Sequence, residues 1–239
     1  MNIQLFIPCF VDQLYPQTAF NMIKVLEKTG CTVTYNSNQT CCGQAAFNAG
    51  FWDDSKSVCN KFIKDFEGID YIVGPSASCV GFVRNYYTKL FDNSSVHNEV
   101  KDLSKRIYEF SEFMVKVLQV FNVGAKLQAK ATYHDSCAGL RECKIKQEPR
   151  KLLANVKGLE LVELNDVETC CGFGGTFAVK FEAISIAMAE QKVENALATS
   201  AEYVISTDLS CLMHLDGYIK HKGYPLKTLH IADVLAGGW

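Results

Sequence analysis

Eleven cysteines occur in 239 residues, and four of them form two Cys-Cys-Gly runs, Cys41-Cys42-Gly43 and Cys170-Cys171-Gly172. Neighbouring thiols close a strained ring if they bond to each other, yet both can face one metal centre. Cysteine used this freely in a reducing compartment points to metal or redox chemistry rather than to disulfides. Cys9 precedes the first run and Cys79 follows it; Cys137 and Cys211 flank the second in the same order. The second set of landmarks stands 128, 129 and 132 residues after the first, nearly one frame. Their flanks agree too. Thr40 matches Thr169, Gly30 matches Gly158, and Tyr71-Ile72-Val73 with Ser78-Cys79 matches Tyr203-Val204-Ile205 with Ser210-Cys211. Self-similarity at this level makes the chain two related halves.

Each half therefore supplies four thiols, the number that an ordinary 2Fe–2S or 4Fe–4S cluster requires. Zinc also accepts four thiolates, so the count does not separate the two. Structural zinc sites draw on compact Cys-x-x-Cys pairs, whereas these thiols come from three remote segments with one adjacent pair, which suits a larger inorganic core. Iron–sulfur clusters, up to one 4Fe–4S cluster per half, are the expected cofactors, with zinc as the alternative metal. Gly43 and Gly172 would let backbone pass close to such a core and take φ values that other residues avoid. Gly174 and Gly175 extend this after the second run. Their N–H groups could bond to cluster sulfur at the start of a helix, with a plain tight turn as the less favoured alternative.

The elements that must position these thiols are legible as one alternation repeated. In the first half, Ile3–Pro8 reads as a buried strand and Cys31–Tyr35 and Tyr71–Gly74 as strands; 17–28, 45–66 and 80–91 read as helices. In the second, strands at 131–134, 159–164 and 203–206 alternate with helices at 149–156, 177–198 and 212–221. Alternating βα units predict an α/β fold of two pseudo-symmetric repeats, each a mainly parallel sheet flanked by helices. Sites in such sheets form in loops at the strand carboxyl ends, which is where Cys9, Cys79, Cys137 and Cys211 fall. Between the halves, Val100, Leu103, Ile107, Phe110, Met114, Val117 and Phe121 alternate spacings of three and four, predicting an amphipathic helix over 98–122 that packs across both. The expected division is residues 1–122 and 123–239.

The doubled pattern Cys-x(31–32)-Cys-Cys-Gly-x(35–38)-Cys resembles the cysteine-rich family named for its Cys-Cys-Gly motif, which includes the cysteine-rich subunits of heterodisulfide reductases and the iron–sulfur subunits of glycolate oxidases. The resemblance covers nearly the whole chain. With no N-terminal ferredoxin-like Cys-x-x-Cys-x-x-Cys run, and with Thr169-Cys170-Cys171-Gly172-Phe173-Gly174-Gly175-Thr176-Phe177, it is most similar to the lactate-utilisation branch of that family. The resemblance implies an iron–sulfur electron-transfer subunit of a complex that oxidises L-lactate to pyruvate, with the complex's other subunits and redox proteins as partners. Glycolate-oxidising and disulfide-reducing relatives imply the alternative substrates, and a zinc-stapled interaction protein is the non-redox alternative. The fuller family motif ends in Cys-x-x-Cys. Its first member is Ser76 in one half and Asp208 in the other, so a fifth thiol is missing, and disulfide chemistry is put in doubt. Ser76 or Asp208 remains available as an oxygen ligand or a hydrogen-bonding neighbour.

Cys31, Cys59 and Cys143 lie outside the repeated pattern and are expected to pack as small apolar side chains. His134 and His214 stand near Cys137 and Cys211 and are expected to hydrogen-bond around the site or within the core, since the cysteine set is already complete; as an auxiliary ligand His214 stands ahead by its three-residue helical offset from Cys211. Arg141, Lys144, Lys146, Arg150 and Lys151 read first as a solvated helix face and second as a docking patch for an acidic partner. No Gly-x-Gly-x-x-Gly fingerprint or P-loop follows a strand, so flavin or nicotinamide would sit on another subunit. Twenty-four basic against 26 acidic residues give nothing for nucleic acid to hold. No leader or long apolar run appears, so the chain is expected to be cytoplasmic, with no membrane insertion.

Overall fold

The computed structural model describes residues 1–239. Two four-stranded parallel sheets carry the chain. In the first, β1 (Asn2–Leu5), β2 (Thr32–Tyr35), β3 (Tyr71–Gly74) and β4 (Ile107–Glu109) lie in the order β2-β1-β3-β4. In the second, β5 (Lys126–Tyr133), β6 (Lys157–Val162), β7 (Tyr203–Ser206) and β8 (Lys227–His230) lie in the order β6-β5-β7-β8. The two orders are the same order, which makes the repeat a repeat of topology as well as of cysteines. The register repeats with it: Ile3 pairs with Tyr71 as Ala131 pairs with Tyr203.

Local signals place the helix ends. Pro16 opens helix Pro16–Lys28, where its missing N–H has no intrahelical partner to lose. Gly50 at φ +90° ends helix Gln44–Ala49, and Gly223 at φ +69° ends helix Leu209–Lys222. The stretch 45–66 is therefore two helices, Gln44–Ala49 and Trp52–Asp65, rather than one. Likewise 177–198 breaks at Phe181 into Thr176–Lys180 and Glu182–Ala198.

The expected helix over 98–122 is the main departure. Helix His97–Arg106 stops at β4, which pairs in parallel with β3 through Ile72–Ile107, Val73–Tyr108 and Gly74–Glu109. The chain then re-enters helix at Phe110–Glu112 and a wider π turn at Phe113–Val117. The apolar spacing suits a helix, but β3 presents an open edge, and satisfying its backbone groups outweighs the local periodicity. Buried Glu109 turns the chain from strand to helix, one carboxylate oxygen accepting from the N–H groups of Ser111 (2.8 Å) and Glu112 (3.1 Å) and from the Ser111 hydroxyl. β8 and helix Ile231–Leu235 complete the second sheet beyond the elements legible in sequence.

One apolar core spans both halves. Leu5, Met22 and Val73 from the first join Phe110, Phe113 and Met114, and these join Leu152, Val204, Leu215 and Leu235 from the second. A smaller cluster under the first site gathers Phe6, Phe62, Phe66, Phe82 and Tyr87 and takes in Cys143 and Ile145 from the second half. Polar ties cross the seam as well: Asp233 accepts from the Thr18 hydroxyl (3.0 Å) and the Asn21 amide (2.9 Å). No helix is long and apolar enough to cross a membrane.

Candidate metal centres

The carboxyl ends of β1 and β3 deliver Cys9, at the start of helix Cys9–Leu14, and Cys79, in the first turn of helix Ala77–Leu90. The loop after β2 brings Cys41 and Cys42 to the same place. The four thiols form an unbroken line of contacts, Cys9 to Cys41, Cys41 to Cys42 and Cys42 to Cys79. The second half repeats the line as Cys137, Cys170, Cys171 and Cys211. All eleven cysteines are free thiols. Cys9 is exposed, Cys42 and Cys171 are buried, and Cys211 is buried where its counterpart Cys79 is half-buried, so the second centre lies deeper than the first.

Electrostatics within each line is uneven. Cys41 is held far below the usual thiol range by its contacts with Cys42 and then Cys9, helped by the Gly43 N–H at 3.3 Å. Cys170 is held low in the same way by Cys137, Cys171 and the Gly172 N–H at 3.4 Å. Their neighbours are driven the other way. Cys9 and Cys42 are raised by their contacts with Cys41, and Cys137 and Cys171 by theirs with Cys170, burial adding to each. One thiolate per line is thus stabilised and every further negative charge beside it is penalised. A bound cation removes that penalty by pairing with all four at once. Four converging thiols with this arrangement fit a thiolate-ligated metal centre.

The glycines have a more specific task than close approach to a core. Gly43 and Gly172 sit at φ +90° and +94°, and a side chain on either would meet the neighbouring helix, Ser55 and Cys59 in the first half and Ser185 and Met188 in the second, rather than the aligned thiols. Buried serines lock these turns: the Ser55 hydroxyl donates to the Gly43 carbonyl (3.0 Å) and the Ser185 hydroxyl to the Gly172 carbonyl (2.8 Å). Ser55 and Ser185 stand 130 residues apart, in frame with the cysteines, a signal the sequence carried unread. Tyr87 donates its hydroxyl to the Cys42 carbonyl (2.7 Å), and Lys192 donates to the carbonyls of Asp166 (2.8 Å) and Val167 (3.1 Å) ahead of the second run. Gly174 and Gly175 form a turn in which the Gly174 carbonyl accepts from the Phe177 N–H at 3.3 Å, and Gly175 precedes helix Thr176–Lys180 at φ +62°.

The auxiliary candidates sort differently from their sequence order. His214 is occupied at the Ser185 hydroxyl (3.2 Å). His134 is the histidine at the thiols: it is wholly buried, and it forms a group with Cys171 and Cys211 whose donor atoms lie within 4.8 Å of one another. Burial, and then the charge of Lys192, push its ring down to about 3. Ser76 and Asp208 meet each other in an antiparallel bridge between the halves. Asp208 accepts from the Ser78 N–H (2.9 Å) and hydroxyl (3.3 Å) and from the Ser210 N–H (3.3 Å) and hydroxyl (2.6 Å), so its oxygens tie helix starts together. Cys31, Cys59 and Cys143 are buried, Cys143 reaching the Ala77 carbonyl at 3.3 Å.

The basic stretch is not one solvated face. Arg150 forks onto buried Asp135 (2.8 and 3.0 Å) and onto Glu163 (2.6 and 2.8 Å), while Lys146 pairs with Glu168. Cys137 opens onto a cleft of about 240 Å³ between the halves, lined by Phe47, Phe82, Tyr86 and Arg141.

Comparison with known proteins agrees with the repeat. The model of a cysteine-rich domain family matches twice, at residues 3–84 and 131–216. The chain is 43% identical to lactate utilization protein A of an Exiguobacterium species, covering 99% of this chain and 98% of that protein. It is 42% identical to lactate utilization protein A of a Geobacillus species (98% and 99% covered) and 44% identical to that of Halalkalibacterium halodurans (98% and 96%). Among solved structures, a hypothetical protein from Helicobacter pylori superposes with a TM-score of 0.61 at 12% identity, over 100% of this chain and 49% of that one, a likeness of fold alone.

Proposed function

The chain belongs to the cysteine-rich domain family, carrying the domain twice, and from that premise we propose that it is the iron–sulfur electron-transfer subunit of a cytoplasmic complex oxidising L-lactate to pyruvate. The observation that carries the proposal is the pair of four-thiol lines, each gathered from three remote segments and free of disulfides. Cys9, Cys41, Cys42 and Cys79 would hold one 4Fe–4S cluster, and Cys137, Cys170, Cys171 and Cys211 the other. Such a group supplies one-electron redox chemistry that no side chain here offers.

The protein's own contribution is ligation, burial and hydrogen bonding. The Gly43 and Gly172 N–H groups aim at the sulfur of Cys41 and Cys170 and favour a negatively charged, thiolate-bound core. Gly174 and Gly175 line the loop that follows the second run. Buried Cys42, Cys171 and Cys211 shield one side of each site from water, while exposed Cys9 gives a redox partner a close approach. Oxidation of lactate releases two electrons and two protons, and the proton chemistry falls to another protein of the complex. Full-length likeness to the lactate utilization proteins supports lactate over glycolate or disulfides.

The test is anaerobic purification followed by iron, sulfide and zinc analysis, with EPR after dithionite reduction, on the native chain, Cys42→Ala and Cys171→Ala. Each variant is expected to lose part of the iron and sulfide, whereas Cys31→Ala and Cys143→Ala keep all of it. Stoichiometric zinc without sulfide, even after reconstitution with iron and sulfide, would make this a structural metal protein instead.

A further inference from the structure

The repeat relates the two thiol lines but not what surrounds them. Phe6 follows β1 at the place His134 takes after β5, each three residues before the first cysteine of its half. Phe6 meets Phe62 edge-on, ring centroids 4.8 Å apart. In the second half the counterpart of Phe62, 130 residues on, is Lys192, buried and close enough for its charge to act on the His134 ring. An aromatic contact beneath the first site is thus an imidazole and an ammonium beneath the second.

His134 is 0% exposed and neither of its ring nitrogens has a hydrogen-bond partner. A buried polar group left unpaired is costly, and folded proteins seldom leave such groups so. The orphaned ring is not aimed at random, because its donor atom converges with the sulfurs of Cys171 and Cys211 within 4.8 Å. Asp208, at the position of the missing fifth thiol, is engaged by Ser78 and Ser210. His134 is the unengaged donor on that side, and imidazole nitrogen can take the place of thiolate in iron–sulfur centres.

We propose that His134 is a ligand of the second metal centre, its imidazole nitrogen taking one iron position beside Cys171 and Cys211, while the first centre keeps thiolates alone. The proposal rests on the iron–sulfur reading above. It makes the two centres chemically distinct despite their common ancestry in the repeat, because an imidazole brings a neutral donor where a thiolate brings a negative charge.

The experiment is pulsed EPR on the anaerobic, dithionite-reduced holoprotein labelled with 15N-histidine. The native chain is expected to show the coupling of a directly bound imidazole nitrogen. Cys42→Ala, which keeps the second site, retains it; Cys171→Ala and His134→Phe lose it, phenylalanine being the residue the first half already accommodates. A loaded native chain with no histidine nitrogen coupling, or with only the weak coupling of a hydrogen-bonded ring, overturns the proposal without recourse to any variant. So does coupling that survives His134→Phe. A native chain that takes up no iron and sulfide at all is a different failure, removing the parent reading together with this one.

Discussion

Replacing each Cys-Cys-Gly glycine by alanine should separate the two halves. Gly43 and Gly172 share almost the same backbone, φ +90° and +94°, so a side chain at either brings the same left-handed strain of about 1–2 kcal/mol. Their surroundings differ. A Cβ at Gly43 would stand 3.0 Å from the Cys59 sulfur, 3.1 Å from the Ser55 carbonyl and 3.2 Å from its hydroxyl, contacts that a rotation and a few tenths of an ångström relieve. At Gly172 the Cβ would lie 2.5 Å from the Ser185 carbonyl oxygen and 2.9 Å from the Met188 Cβ. Neither belongs to a flexible side-chain end, so helix Glu182–Ala198 has to move. Overpacking of that kind adds about 1–3 kcal/mol. Gly43→Ala should therefore cost about 1–2 kcal/mol and Gly172→Ala about 2–5 kcal/mol. Anaerobic urea unfolding of both variants beside the native chain reads the difference, and metal analysis should show the second centre depleted first. Equal costs, or a greater cost at Gly43, would refute the claim that these glycines are required by the helix each turn packs against.

Two further outcomes follow from buried charge. Burial raises Glu109 to about 7 from 4.5, even though Ser111 and Glu112 donate to it. A carboxyl whose folded value lies above its unfolded one contributes stability that is full below about 4.5 and lost as pH rises through about 7, a span worth about 3 kcal/mol. Glu109→Gln keeps an acceptor for the Ser111 and Glu112 N–H groups and should flatten the pH dependence of thermal unfolding between pH 5 and 8; an unchanged slope would assign it elsewhere. Arg150→Ala strands the Asp135 carboxylate, 2% exposed, and should cost about 3–5 kcal/mol, while loss of the exposed Glu163 contact adds under about 1 kcal/mol. Adding Asp135→Asn should recover much of that loss in urea unfolding, since the uncompensated charge goes with it.

The sequence alone carried the repeat and the α/β class, and it singled out the two sets of four thiols that the structure brings into line, because these depend on residue type and spacing along the chain. β3 and β7 were legible to the residue, as Tyr71–Gly74 and Tyr203–Ser206, since short apolar runs bounded by turns have little else to become in a parallel sheet. β4 was not. Val100, Leu103 and Ile107 fit a helix by spacing, and only the open edge of β3 makes Ile107–Glu109 a strand. The choice between the histidines was hidden for a like reason. Helical offset from Cys211 favours His214, but helix Glu182–Ala198 brings Ser185 against that ring, while the end of β5 turns His134 onto Cys171 and Cys211. The glycines show the same division: their type forecast a left-handed turn, and the helix lying across each turn decided what the missing side chain makes room for. Spacing fixes which groups lie near each other along one element. Which groups face one another across elements depends on how strand ends and helix starts converge, and that is settled by long-range pairing and packing that no local pattern encodes.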